Sequence, residues 1–274
     1  MNEPLYGQQE ANALTESEKN ESWRHEGEIL KGKLILEHTK EIESLLDIGC
    51  AWGQTLRQLV GKIPVLAGAD ESADRLKSLQ NNEHGIQTYQ CRSTDLKVED
   101  SSFDAILMSH ILHEIKLFGN EGDLLDTVSE IKRVLKDNGC FIVIDHRDPG
   151  EGMVSIKPGK QIENLHKFRD RFKLRNIDIN FDQNIATMSI RDCHDFVTKI
   201  WSLDKGAEDL EMNETHTVIN QQEFSKELED LGFNITTNVE FNPIENMMKY
   251  YGIELVNGES WGRQVFIVAS PKTD

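Results

Sequence analysis

The residues with the most evident chemistry lie between Leu45 and His113. Asp47 precedes a run of small residues in Gly49-Cys50-Ala51-Trp52-Gly53, and Asp70 follows seventeen positions after Gly53. Small residues in a turn between strand and helix let backbone N–H groups approach a ligand. An acid at the end of the next strand can accept hydrogen bonds from ribose hydroxyls. The spacing departs from the GxGxxG that cradles a pyrophosphate. Asp47 would repel a pyrophosphate and attract a ligand bearing an amine and a sulfonium, which favours S-adenosylmethionine over NAD. His110 and His113 follow an apolar run ending at Ser109. An imidazole of pKa about 6.5 there could take a proton from a substrate, or either ring could start a helix and pack on the sheet.

Other candidate motifs fall away on spacing. His110-x-x-His113-Glu114 has the wrong order for a zinc HExxH site. Asp178-x-Asn180-x-Asp182-x-Asn184 begins like a calcium loop, yet Gln183 stands where Gly is needed and Ser189 where the bidentate Glu belongs. No metal is expected. Asp192 and Asp195 share a helical face and could bind a cationic or amine-bearing substrate group, with His146 and Arg147 nearby, or could form a solvated face. Trp23-Arg24-His25 could close over a cofactor or dock on the sheet.

These residues need elements to position them. Apolar runs at 44–49, 65–69, 86–91, 103–109 and 140–144, separated mostly by amphipathic stretches at 54–60, 72–79 and 123–136, predict strands alternating with helices. Near-continuous apolar strands of that kind form a parallel sheet covered on both faces. Further strands at 233–241 and 264–269, with a helix over 221–231, extend it to a doubly wound, mostly parallel seven-stranded α/β sheet. Asp137-Asn138-Gly139 predicts a left-handed cap ending the helix before it. The polar stretch from His146 to about Ile219 reads as a helical cap inserted after strand five. The expected organisation is a helical leader over 1–40, a core over 41–149, a cap over 150–219 forming the acceptor pocket, and the rest of the sheet over 220–274. The leader is expected to be helical from about Ala13, with Ile29, Leu30, Leu34 and Ile35 as its apolar face.

Composition narrows the partners. Among 274 residues, 30 Lys+Arg face 48 Asp+Glu, a net charge of −18, so no nucleic acid partner is expected. Four scattered cysteines read as reduced thiols. Apolar runs are far shorter than the roughly 20 residues of a membrane span, and no secretion signal is visible. The expectation is a cytoplasmic protein without membrane insertion, with a homo-oligomer left open.

Over about residues 44–145 the chain resembles class I S-adenosylmethionine-dependent methyltransferases of the small-molecule, ubiquinone-biosynthesis-like kind. The carriers are Leu45 to Gly53, Gly68-Ala69-Asp70-Glu71-Ser72, Asp100 to Ile106, Ser109-His110-Ile111-Leu112-His113 and Arg133 to Gly139. The resemblance implies a Rossmann-like fold and transfer of a methyl group to a small-molecule acceptor by in-line displacement, with His110 and His113 as candidate bases. It implies a cofactor set in which Asp47, Gly49, Cys50, Ala51 and Gly53 surround the methionyl part and Asp70, with Glu71 beside it, holds the ribose. Arg92, Ser93 and Thr94 would lie along the adenine, and Ser109 and His110 near the methyl group. Ala51 replaces the family's usual middle Gly, and Arg92 stands where an acid often meets the adenine. Alternatives are a protein, peptide or tRNA methyltransferase, or a non-catalytic binding protein of the same fold.

Overall fold

The computed structural model describes residues 22–39, 41–83, 85–203 and 208–272. Helix α1 (Ser22–His38) leads into β1 (Ser44–Ile48), α2 (Gln54–Arg57), β2 (Val65–Asp70), α3 (Ala73–Asn82), β3 (Gln87–Gln90), β4 (Phe103–Ser109), α4 (Leu112–Phe118), α5 (Asp123–Val134) and β5 (Leu135–His146). There follow β6 (Met153–Lys157), α6 (Ile162–Arg171), β7 (Asn180–Asp182), β8 (Ile185–Ser189), α7 (Ile190–Leu203) and α8 (Glu208–Glu211). The chain ends with α9 (Gln221–Asp230), β9 (Phe233–Pro243), α10 (Ile244–Tyr251), β10 (Glu254–Asn257) and β11 (Gly262–Pro271).

A seven-stranded sheet runs β3-β2-β1-β4-β5-β11-β9. β1 lies parallel to both β2 and β4, which sets Asp47 beside Gly68 on one side and Leu107 on the other. Leu45, Leu46, Ile106, Leu107 and Met108 are fully buried, as the central strands of a sheet covered on both faces must be. The order turns around at β1 and β4, and the crevice outside their carboxyl ends is where open α/β sheets bind ligands.

The chain divides into two compact units. Unit 2 holds Glu26–Asp145, Gln221–Val239 and the stretch from Gln264. Unit 1 holds His146–Asn220 and Glu240–Arg263. The helices expected after strand five are present in unit 1, together with an antiparallel sheet ordered β10-β6-β8-β7 that the sequence reading did not contain. Its strands alternate, with Val154, Ile156, Ala186 and Met188 facing a core that includes Phe168 and Phe196, while Ser155 and Thr187 pair hydroxyl to hydroxyl at 2.8 Å. Strands of three to five residues are too short for a period of two to stand out from a polar background.

Two local expectations are corrected. Asp137-Asn138-Gly139 forms no left-handed helix cap. Helix α5 ends at Val134 because the N–H groups of Ser101 and Ser102 take the carbonyls of Arg133 and Val134, and Leu135 is already extended. Gly139 instead allows close approach, since a Cβ there would stand 3.0 Å from the Asp104 carbonyl. The helix expected over 54–60 is one turn, after which Leu59 N–H reaches back to the Leu56 carbonyl in tighter i, i+3 fashion. In the leader, Ile35 is buried but Ile29 is 48% exposed. The helix start expected near Ala13 and the side chains of Trp23, Arg24 and His25 lie outside the described residues. Among the described residues no helix is long and apolar enough to cross a membrane.

Candidate cofactor and catalytic site

The turn after β1, in unit 2, has three residues in the left-handed region: Gly49 (φ 72°), Ala51 (φ 46°) and Gly53 (φ 73°). Neighbouring side chains crowd two of them. A Cβ on Gly49 or Gly53 would stand 2.4 Å from Ile111 Cδ1 or Leu79 Cδ1. Ala51 adopts the same region with a side chain, at a strain of about 1 kcal/mol. The turn is pinned to β2, because Gly49 and Cys50 N–H donate to the Ala69 carbonyl at 2.7 and 3.0 Å, and Ala51 N–H donates to Asp70 Oδ2 at 2.9 Å.

Asp70 is 7% exposed, and its second oxygen accepts the Ser72 N–H at 2.9 Å. Arg75 Nη1 stands 3.7 Å from Oδ2, and each carboxylate oxygen keeps one lone pair beside the backbone donor it already accepts. Asp47, 2% exposed, has an Oδ1 with no hydrogen-bond partner. Burial pushes its pKa well above the usual carboxylate range, with Glu28 and Asp70 adding to the rise and Lys31 opposing it. The Ser109 hydroxyl at the end of β4 is likewise buried without a partner. Cys50 packs its sulfur against Gly68, and burial holds its thiol protonated, which leaves its backbone as the part that can meet a ligand.

Arg92 is exposed and faces Glu71 at 3.4 Å, and burial raises the pKa of Glu71. Ser93 and Thr94 form the turn closed by the Arg92–Asp95 bridge, with the Ser93 hydroxyl 3.0 Å from that of Thr127.

The two histidines differ. His110 is held in the left-handed region (φ 57°). Its Nδ1 lies 3.2 Å from Lys31 Nζ and its Nε2 2.5 Å from the Gln264 amide. Lysine only donates, so Nδ1 accepts, the neutral ring carries its proton on Nε2, and Gln264 must offer its carbonyl oxygen there. His113 is 4% exposed, and Asp145, fully buried, accepts both its backbone N–H at 3.2 Å and its Nδ1 at 2.6 Å. That fixes the proton on Nδ1 and leaves Nε2 as the basic nitrogen.

Sequence reasoning missed Glu28, Lys31, Asp145 and Gln264. Glu28 accepts from Lys31 at 2.7 Å and from the Thr55 hydroxyl at 2.6 Å, tying α1 to the start of α2. The one available signal was a Glu–Lys pair three apart in the leader, which resembles any surface pair. In unit 1, Asp192 and Asp195 do come together, but Arg175 engages them at 2.7 and 2.8 Å, so neither is open to a substrate amine.

Residues 46–143 match the model of a methyltransferase domain. The methyltransferase YcgJ of Bacillus subtilis is 24% identical over 57% of this chain and 59% of its own. The demethylmenaquinone methyltransferase of Staphylococcus saprophyticus is 26% identical over 50% of this chain and 57% of its own. The chain thus spans under two thirds of the length of these curated relatives. Among solved structures, a chain of a complex containing the Haloferax volcanii Trm112 methyltransferase activator superposes with a TM-score of 0.58 at 14% identity, covering 100% of both chains. The DhpI–SAH complex gives 0.52 at 11% identity over 97% of this chain and 92% of that one. The sheet order, the turn after β1 and these likenesses establish that the chain has the class I S-adenosylmethionine-dependent methyltransferase fold.

Proposed function

We propose that the protein is an S-adenosylmethionine-dependent methyltransferase acting on a small-molecule acceptor. The observation that carries this reading is the partnerless buried oxygen of Asp47 beside three left-handed residues at the switch point of the sheet. A buried carboxylate that costs folding energy and lacks a donor suits a cationic ligand group. Asp47 would take the amine of the methionyl part, the backbone from Gly49 to Gly53 would line it, and Asp70 would accept the ribose hydroxyls. Ser93 and Thr94 would border the adenine, and Ser109 would offer its hydroxyl near the methyl group. When bound, the cofactor supplies an electrophilic methyl carbon on a sulfonium.

The chain's own task is to align the acceptor and exclude water. His113, oriented by Asp145, is the base for an acceptor that arrives protonated, while His110, bonded at both nitrogens, fixes the wall of the site. The relative named as a demethylmenaquinone methyltransferase and the neighbour solved with SAH support a small-molecule acceptor and this cofactor. The net charge of −18 speaks against a nucleic acid substrate, and four free cysteines suit the reducing cytoplasm.

Calorimetric titration with S-adenosylmethionine and its demethylated product, with NAD as control, tests the reading. Asp70→Ala should weaken binding by about 1.5–3 kcal/mol, the worth of hydrogen bonds to a charged group. Absence of binding to the wild type, or an unchanged affinity in the variant, would refute the assignment. His113→Gln should depress turnover of an accepted substrate and spare cofactor affinity; an undiminished rate would remove the base.

A further inference from the structure

One chain of hydrogen bonds in unit 2 runs through α2, α1, the turn after β4 and β11. The Thr55 hydroxyl and the Lys31 ammonium donate to the two oxygens of Glu28 at 2.6 and 2.7 Å. Lys31 Nζ also donates to His110 Nδ1 at 3.2 Å, and Gln264 meets Nε2 at 2.5 Å. The chain borders the turn after β1. Thr55 stands two residues past Gly53, and Ile111, next after His110, fills the space that a Cβ on Gly49 would need. His110 itself holds left-handed backbone at φ 57°, a strained conformation for a side chain branching into a ring, which persists where the surroundings over-determine it. Lys31 is 5% exposed, and its partner Glu28 is held from the far side by Thr55, so the ammonium is fixed in place. The single lone pair of Nδ1 is taken up by this ammonium. An imidazolium would instead turn an N–H toward the Lys31 cation. The other titratable groups around the ring are Glu28, behind Lys31, and His113, whose ring stands edge-on at 6.5 Å with its own Nδ1 tied to Asp145.

We propose that Lys31 is a positioning residue for methyl transfer: its ammonium, fixed by Glu28, locks His110 as a neutral ring with the proton on Nε2. This role rests on the methyltransferase reading, which sets Ser109 and His110 beside the methyl group. A neutral ring is what that place requires. An imidazolium there would repel the sulfonium of the cofactor but not the thioether left after transfer. A histidine with the ordinary pKa of about 6.5 is partly charged near neutral pH, and the lock removes that charged fraction. The charge of Lys31 is answered by Glu28 rather than turned on the ligand.

The test is calorimetry of the full-length protein with S-adenosylmethionine and with its demethylated product from pH 8 to 5.5, beside nitrogen-15 spectra of the histidine rings. Protonation of Asp47 acts on the amine that both ligands share and cancels in the ratio of their affinities. A charge on His110 falls on the sulfonium alone and changes that ratio. Expected in the wild type are a level ratio and a His110 ring protonated only at Nε2 throughout. Lys31→Gln, whose amide can donate to a neutral ring or accept from a charged one, should release the titration and lower the ratio about fivefold or more toward pH 5.5. Lys31→Arg, which keeps a cationic donor, should hold it level. A merely structural role would weaken both ligands together and leave the ratio unmoved. Where Lys31→Gln fails to fold for want of a partner to Glu28, Glu28→Gln combined with Lys31→Gln removes both charges and should show the same fall. A wild-type His110 that titrates in this range or carries its proton on Nδ1, which needs no variant to detect, would overturn the proposal. So would a level ratio in the folded glutamine variants, or an equal fall with Lys31→Arg. Any of these in a protein that binds both ligands leaves the methyltransferase reading standing. A wild type that binds neither ligand would fell that reading and the role of Lys31 with it.

Discussion

Asp47 is destabilising where it stands. Its carboxyl is buried, one oxygen lacks a donor, and burial together with Glu28 and Asp70 pushes its pKa up while Lys31 pulls it down. A raised carboxyl pKa means that the folded chain holds this proton more tightly than the unfolded chain. The penalty is therefore complete above the folded pKa and relieved as pH falls toward the unfolded value. Asp47→Asn should thus raise the melting temperature at pH 7 by several degrees, a gain of about 1–3 kcal/mol, and the gain should shrink on acidification. The same substitution should weaken S-adenosylmethionine binding. A variant no more stable than the wild type at pH 7, followed by calorimetry, would show that Asp47 finds a partner in solution. Stability given up at a residue that binds ligand is the ordinary trade at functional sites.

Helix α1 acts on the site through two side chains one turn apart. Lys31, 5% exposed, donates to Glu28 and to His110 Nδ1, and its charge opposes the rise at Asp47. Lys31→Met would leave Glu28 and Asp47 facing one another without a cation, at an expected loss of about 3–5 kcal/mol. Glu28→Gln combined with Lys31→Met should lose less than the two single losses added together, and strict additivity in thermal melts would deny the coupling. Here the limits of the sequence become physical. The glycines after β1 and Asp70 were legible because a tight turn and the end of the next strand are local features. Glu28, Lys31 and Gln264 were not, because only the fold brings a leader helix and the last strand to His110. Asp145 was passed over for a different reason: at the end of a strand it reads as a boundary, and its tie to His113 spans 32 residues. The sheet of unit 1 escaped because its strands are short and half of their residues are polar.

Across the whole molecule, the two units should answer acid with opposite signs. In unit 1 His194 is held neutral with a pKa of about 3, while an unfolded histidine titrates at about 6.5. A depressed histidine contributes stability that is complete above the unfolded pKa and declines, by up to about 1.4 kcal/mol per pH unit, as pH falls from there toward the folded value. Asp148 adds to this at lower pH. Against the cost of burial, the hydrogen bonds of Arg191 hold its pKa below the usual range, and that stability goes as the pH falls through its folded pKa. In unit 2 Asp47 gains stability over part of the same descent. The depressed acids of unit 2, Asp104 and Glu130, sit in largely solvated ion pairs with Lys136 and Arg133 and contribute little. Hydrogen exchange between pH 7 and pH 4.5, corrected for intrinsic rates, should therefore show peptides from 146–220 and 240–263 losing protection before those from 44–145. His194→Phe should flatten the response of unit 1 alone. Simultaneous loss in both units, or earlier loss over 44–145, would mean that the neutral His194 does not govern acid stability.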